Sequence, residues 1–191
     1  MPVDPICLIC GLCYVDDYPP DVRYHKKFHD LHVHGPKVKL RNGLHLILPK
    51  SPLPHRRAAQ EASILFKREL HFDFPSYVAT SKDDFRQHNT IASICVDAER
   101  AVGLLVERDS SCTRQLRLGD ERYSDEEPET GCRSLDVIWV ISSHRGKGIG
   151  KQLLKSFIER NADKPMAVQV PISEDGERLL RSFQLTQFWV S

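Results

Sequence analysis

Two groups of residues in this chain have the types and spacing to do chemistry. The first is Cys7, Cys10, His25 and His29: a C-x-x-C pair followed, after fourteen intervening residues, by H-x-x-x-H. A knuckle such as Cys7-Leu8-Ile9-Cys10-Gly11 can aim two thiolates at one ion. Histidines four apart share a helix face, so a helix over Tyr24 to Leu31 would present both imidazoles together. Four ligands of the S₂N₂ type make a closed tetrahedral zinc site, which is structural rather than catalytic. Cys13, His32 and His34 lie close by; Cys13 sits one position too near Cys10 to close a second knuckle and is read as a bystander.

The second group is the run Ser143-His144-Arg145-Gly146-Lys147-Gly148-Ile149-Gly150-Lys151, which follows the apolar Leu135 to Ile141 and opens a helical run from Gln152 to Asn161. In a strand–turn–helix of this kind the first amides of the helix lack intrahelical acceptors. Glycines then allow a ligand to approach them closely, so the turn suits a pyrophosphate. Arg145 and Lys147 add positive charge. The dinucleotide fingerprint requires G-x-G-x-x-G near the start of a βαβ unit with an acidic residue about 20 positions on, and the triphosphate loop requires G-x-x-x-x-G-K-[ST]; neither fits. What fits is R-x-x-G-x-G, which resembles the coenzyme A loop of the GNAT N-acetyltransferases.

These residues need elements to hold them. At 191 residues the chain can bury one sizeable core with a small appendage, and 40% hydrophobic with 28% charged residues describes a globular protein. A formal net charge of +1 exerts no global pull on nucleic acid or anionic membrane. The N-terminus has no apolar h-region, and no apolar run approaches the ~20 residues of a membrane span, so the protein is expected to be intracellular. Six cysteines in such a chain suggest thiols and a metal site before disulfides.

Asn42-Gly43 between Lys37–Leu40 and Leu44–Leu48 signals a hairpin. Arg56 to Leu70 has the apolar spacing of a helix ending before Phe74-Pro75. Strands are expected over Ser76–Thr80, Thr90–Val96, Ala101–Glu107 and Met166–Val170. A short helix over Glu174–Phe183 and a final strand over Gln184–Val190 complete the chain. Residues 109–133 read as a long polar surface insertion, acidic in its middle and poor in aliphatic residues. Strands that meander and then alternate with helices imply one mixed α/β sheet with helices on its faces.

A finger of the form C-x-x-C-G-x-x-Y…H-x-x-x-H joined to a coenzyme A loop is a specific combination. It resembles the cohesin acetyltransferases, GNAT enzymes of sister-chromatid cohesion. Gly11, Tyr14, the Phe28-His29 pair, Val102-Gly103-Leu104-Leu105, Ile138-Trp139-Val140 and Asp175-Gly176 with Leu179 carry the likeness over nearly the whole chain. It implies a GNAT fold over residues 35–191 behind a zinc finger at 1–34. It also implies acetyl-CoA as cosubstrate, structural zinc, a protein lysine as acceptor and a nuclear location. The coenzyme site would comprise Ile138, Trp139, Val140, the loop Arg145, Gly146, Lys147, Gly148, Ile149, Gly150 and Lys151, and the following segment Pro171, Ile172 and Ser173. Val140 would offer its backbone N–H to the thioester oxygen where two strands splay apart.

The chain departs from that family where the chemistry is done. Asp136 stands where the family carries a serine, Val170 and Pro171 where it has a serine–aspartate pair, and Leu180 where many GNAT enzymes place a tyrosine. The base that deprotonates the acceptor ammonium must therefore be sought among this chain's own carboxylates. Asp136, in period-two register with Val140, is the first candidate and Glu107 the second. Pairing of Asp136 with an arginine such as Arg133 is the structural alternative. Cys132 lacks a histidine partner and is discounted as a nucleophile. A small-molecule amine acetyltransferase and a weakly catalytic acyl-CoA-binding module remain as other functions. For the finger, packing on the larger domain is favoured over reading DNA.

Overall fold

In the computed structural model, residues 6–69, 90–111, 114–118, 123–124 and 131–190 are described. Helix α1 (Pro19–His34) opens the chain, followed by β1 (Gly43–Ile47), α2 (Leu53–Glu69), β2 (Ile91–Asp97), β3 (Arg100–Ser110), β4 (Arg114–Arg117), β5 (Tyr123–Ser124) and β6 (Cys132–Val140). A 3₁₀ turn (Ser142–His144), α3 (Ile149–Arg160), β7 (Met166–Val168), α4 (Glu174–Arg181) and β8 (Gln187–Val190) complete it. All eight strands among the described residues join one mixed sheet in the order β1-β2-β3-β6-β7-β8-β4-β5. The β6–β7 and β7–β8 pairs are parallel and the others antiparallel.

Alternation along β3 sorts the two faces of the sheet. Val102, Leu104 and Val106 join the α2 residues Ala58, Ala59, Ala62, Leu65 and Phe66 in one core. Leu105 joins the α3 residues Leu153, Leu154 and Phe157 in another. Gly103 faces α3 as well. A methyl group there would lie 2.8 Å from Ile149 Cγ2 and 3.1 Å from Leu153 Cδ1, so the glycine sets how closely α3 approaches the sheet.

Several expectations need correction. Asn42-Gly43 does not turn a hairpin: Lys37 bridges Arg100, whereas β1 pairs with β2. Longer-range pairing overrides the local turn signal. The 109–133 insertion is not wholly irregular, because β3 runs on to Ser110, β6 begins at Cys132, and β4 between them pairs with β8. Its acidic residues 120, 121, 125–127 and 129 lie outside the described residues, as does the strand expected over Ser76–Thr80. Cys132 is disulfide-bonded, against the expectation of thiols before disulfides, and a disulfide sulfur is no nucleophile.

Candidate functional site

The N-terminal cluster forms as its spacing implies. Helix α1 is longer than the expected Tyr24–Leu31 because Pro19 and Pro20 suit its first positions, while Gly35, at φ 79°, caps its end. It presents His25 and His29 to the Cys7–Cys10 knuckle, and the four candidate ligand atoms lie within 4.8 Å of one another. Cys7 Sγ and His29 Nδ1 are 3.4 Å apart. Bonds of about 2.0–2.3 Å to a tetrahedral zinc ion would place ligand atoms about 3.3–3.8 Å from each other.

His25 Nε2 is buried with no hydrogen-bond partner, as a nitrogen reserved for a metal would be. The His25 ring is fixed by stacking on Tyr14, with ring centroids 3.9 Å apart. The Cys10 and Ile9 backbone amides hold the Cys7 thiol down to about 5, whereas burial pushes Cys10 up. Cys13 is exposed and bridges Ile6 through backbone atoms, outside the ligand set. The residues present therefore fit zinc.

The helix that carries the two histidines is fastened to the large sheet. Arg100, at the start of β3, grips Asp30 through Nη1–Oδ2 (2.7 Å) and Nη2–Oδ1 (2.9 Å), and donates to the Gly35 carbonyl at 2.9 Å. The guanidinium draws the Asp30 carboxyl below its usual range. Arg68 of α2 lies over the Phe28 ring at 4.5 Å. Among the described residues, helix α1 thus packs against β3 and α2.

A cavity of about 840 Å³ opens where β6 and β7 part. The strands pair only through Arg133↔Met166, Ser134↔Ala167 and Leu135↔Val168, with one further bond from Gln169 N to Leu135 O (3.1 Å). Beyond Leu135, β6 continues to Val140 paired with β3 alone among the described strands. Its other backbone edge is left toward the cavity. A chain of amides laid into such a gap can complete the ladder. Gln169 also lines it, and its Oε1 is buried without a partner.

The phosphate end is built from the glycine loop. Gly146 (φ 75°) and Gly148 (φ 83°) both take left-handed conformations, and Gly148 is the N-cap of α3. Backbone amides turned inward this way form an anion nest at a helix N-terminus. Among the described residues, and apart from the chain neighbours, no atom lies within 4 Å of where a Cβ on either glycine would sit, which leaves room for a ligand. Ile138, Trp139, Val140, Arg145, Gly146, Gly148, Ile149, Gly150, Lys151, Pro171, Ile172 and Ser173 all line the cavity; Lys147 is exposed outside its wall.

The family model for the acetyltransferase (GNAT) family matches residues 61–170, more than half of the chain. The chain belongs to the GNAT family. It is an N-acetyltransferase that uses acetyl-CoA. By sequence, no curated protein matches. Among solved structures, the xEco2 acetyltransferase domain bound to a CoA conjugate is similar at 19% identity and TM-score 0.60, covering 81% of this chain and 94% of that one. Another structure of the xEco2 domain gives TM-score 0.54 at 19% identity, covering 81% and 93%. A probable acetyltransferase gives 0.51 at 13% identity, covering 75% and 88%. At these identities the likeness is one of fold.

The two candidate bases are placed differently. Asp136 lines the cavity, but a bulge interrupts the register there, since Val106 faces Val137 while Glu107 faces Leu135. Its carboxylate pairs with Arg108 Nε at 2.7 Å, which realises the expected arginine pairing, and accepts from Ser134 Oγ at 2.6 Å. Glu107 does not line the cavity. It is fully buried and engaged by Arg160 Nε (2.7 Å) and Asn161 Nδ2 (2.7 Å), with Arg133 Nε at 3.5 Å. Burial outside the cavity wall, within a network of two arginines and an asparagine, places the second candidate in a structural role rather than at the reacting amine.

Sequence reasoning missed Glu69, the last residue of α2. It lines the cavity, accepts from Trp139 Nε1 at 2.7 Å through Oε2, and accepts from Arg145 Nη2 through Oε1. Its partners are 70 and 76 positions away in the chain, so no local pattern could announce it.

Proposed function

We propose that this GNAT enzyme acetylates the Nε amine of protein lysines, as a relative of the cohesin acetyltransferases, with residues 1–34 as a structural zinc finger. The observation that carries the reading is the four-ligand cluster on a finger clamped to β3 by Asp30 and Arg100. The likeness to the xEco2 domain supports it. Zinc would be held by Cys7, Cys10, His25 and His29 and would supply folding energy, not chemistry.

In the reaction, the neutral amine attacks the thioester carbon. A C–N bond forms, the C–S bond breaks, and the leaving thiolate takes up, through water, the second proton that the attacking nitrogen sheds as it becomes an amide. The proton lost by the ammonium goes to Asp136, directly or through water, and Val140 N–H faces the thioester oxygen. Cys132 and Glu107 take no part.

Lysine-containing peptides, polyamines and aminoglycosides, each assayed for acetyl transfer from acetyl-CoA, test the acceptor class. Preferred transfer to peptides is expected. Preferred transfer to a small amine would overturn the lysine reading, and coenzyme A binding without any transfer would favour a binding module.

A further inference from the structure

The carboxylates that line the cavity are Glu69, Asp136, Glu174 and Asp175. Asp175 is paired with Arg178 on the surface of α4, and Glu174 is the exposed first residue of that helix. The Asp136 side chain is 1% exposed and held by Arg108 and Ser134. Glu69 differs from all three. Its side chain is 25% exposed, and it is delivered by α2, from the sheet face opposite to α3 and its glycine loop. Phe66, one turn earlier on α2, and Trp139 line the cavity beside it. A partly exposed carboxylate set among aromatic rings recognises a primary ammonium, through a charged hydrogen bond and the ring faces.

Arg145 complicates this arrangement in an informative way. Its Nε donates to the Val140 carbonyl at 3.0 Å and its Nη2 to Glu69. Yet the same arginine stands at the head of the phosphate nest, and 45% of its side chain is exposed. A guanidinium beside a pyrophosphate is drawn to it by bidentate geometry and by charge. One arginine therefore serves two anions, a carboxylate on the acceptor side and phosphates on the coenzyme side.

We propose that Glu69 is the residue that binds the acceptor's ammonium, and that coenzyme A competes with Glu69 for Arg145, so that coenzyme binding frees the Glu69 oxygen for the amine. This rests on the amine-acetylation reading above and adds to it the residue that selects a cationic acceptor. It also predicts a sign. If Glu69 were only a strut for Arg145, removing its charge would loosen coenzyme A. If the two compete, removing the charge should tighten it.

The test is Glu69→Gln, which keeps an oxygen for Trp139 Nε1 while removing the charge. Calorimetric titration with coenzyme A should give a Kd lower by about threefold, the scale of a partly exposed ion pair. The KM for a lysine peptide should rise at least about tenfold, as loss of a charged hydrogen bond implies. Weaker coenzyme A binding in the variant, or an unchanged peptide KM, overturns the proposal. Should Glu69→Gln fail to fold, Arg145→Lys serves the same purpose. A lysine cannot hold Val140 O and Glu69 together, so this variant should lower the peptide KM while weakening coenzyme A, and an unchanged peptide KM sinks the idea. Failure of the wild-type protein to bind coenzyme A would instead refute the assignment of the site.

Discussion

Glu107 Oε1 and Arg160 Nε meet at 2.7 Å, joining the middle of the sheet to the last turn of α3. Glu107 is fully buried, as is its second arginine, Arg133, which reaches on to Asp109 at 2.8 Å. A buried carboxylate is tolerated because three donors surround it; once one member is removed, the others are left charged and unpaired. Glu107→Gln is therefore expected to cost on the order of 3 kcal/mol in folding stability. Thermal melts should show the loss. Coenzyme A affinity, measured below the melting range, should stay within twofold, about 0.4 kcal/mol.

Asp136→Asn should behave in the opposite manner. If Asp136 takes the proton, turnover should fall at least about tenfold, at the low end of what a positioned base contributes. Coenzyme A affinity should stay near wild type, because the carboxylate sits on β6 away from the phosphate nest. Steady-state kinetics with separate calorimetry would decide it; undiminished turnover would remove Asp136 from the mechanism.

At the phosphate end, Gly148→Asp carries two penalties. An aspartate must adopt φ 83° and would bring its carboxylate into the space reserved for phosphate oxygens. Coenzyme A binding should weaken by more than about tenfold, as expected when a charge-assisted contact is replaced by repulsion. Unchanged affinity would mean that the phosphates lie elsewhere.

Much of this was legible in the chain because the signals were local. The C-x-x-C and H-x-x-x-H spacings, the glycines at 146, 148 and 150, and the apolar run before them sit within single elements. Their neighbours in sequence are also their neighbours in space. The misreadings share the opposite property. Asn42-Gly43 turns nothing because β1 finds its partner in β2, some fifty residues on. Period two gave no warning at Asp136, since a bulge depends on the register of the facing strand. Glu107 resembled a strand-end carboxylate until Arg160 and Asn161 were brought beneath it from another element. Glu69 went unremarked because its partners, Trp139 and Arg145, lie 70 and 76 positions away. Charge partners far apart in sequence leave no periodic trace.

The finger offers the remaining prediction. His25 Nε2 is buried without a partner, and Cys7 Sγ lies 3.4 Å from His29 Nδ1, so the ligand set is preformed and closed. One equivalent of zinc per chain is expected by elemental analysis, and Cys10→Ala should abolish it. Because the four ligands come from the knuckle and α1 together, metal binding and local folding should be one event. Chelation should therefore unravel α1 first and release the Asp30–Arg100 clamp from β3. The glycine loop and the β6–β7 gap belong to other elements and should survive. Circular dichroism should thus report a partial loss of helix while coenzyme A still binds. Retention of full helicity after zinc removal, or full metal content in Cys10→Ala, would show that these four residues are not the ligands that hold the finger together.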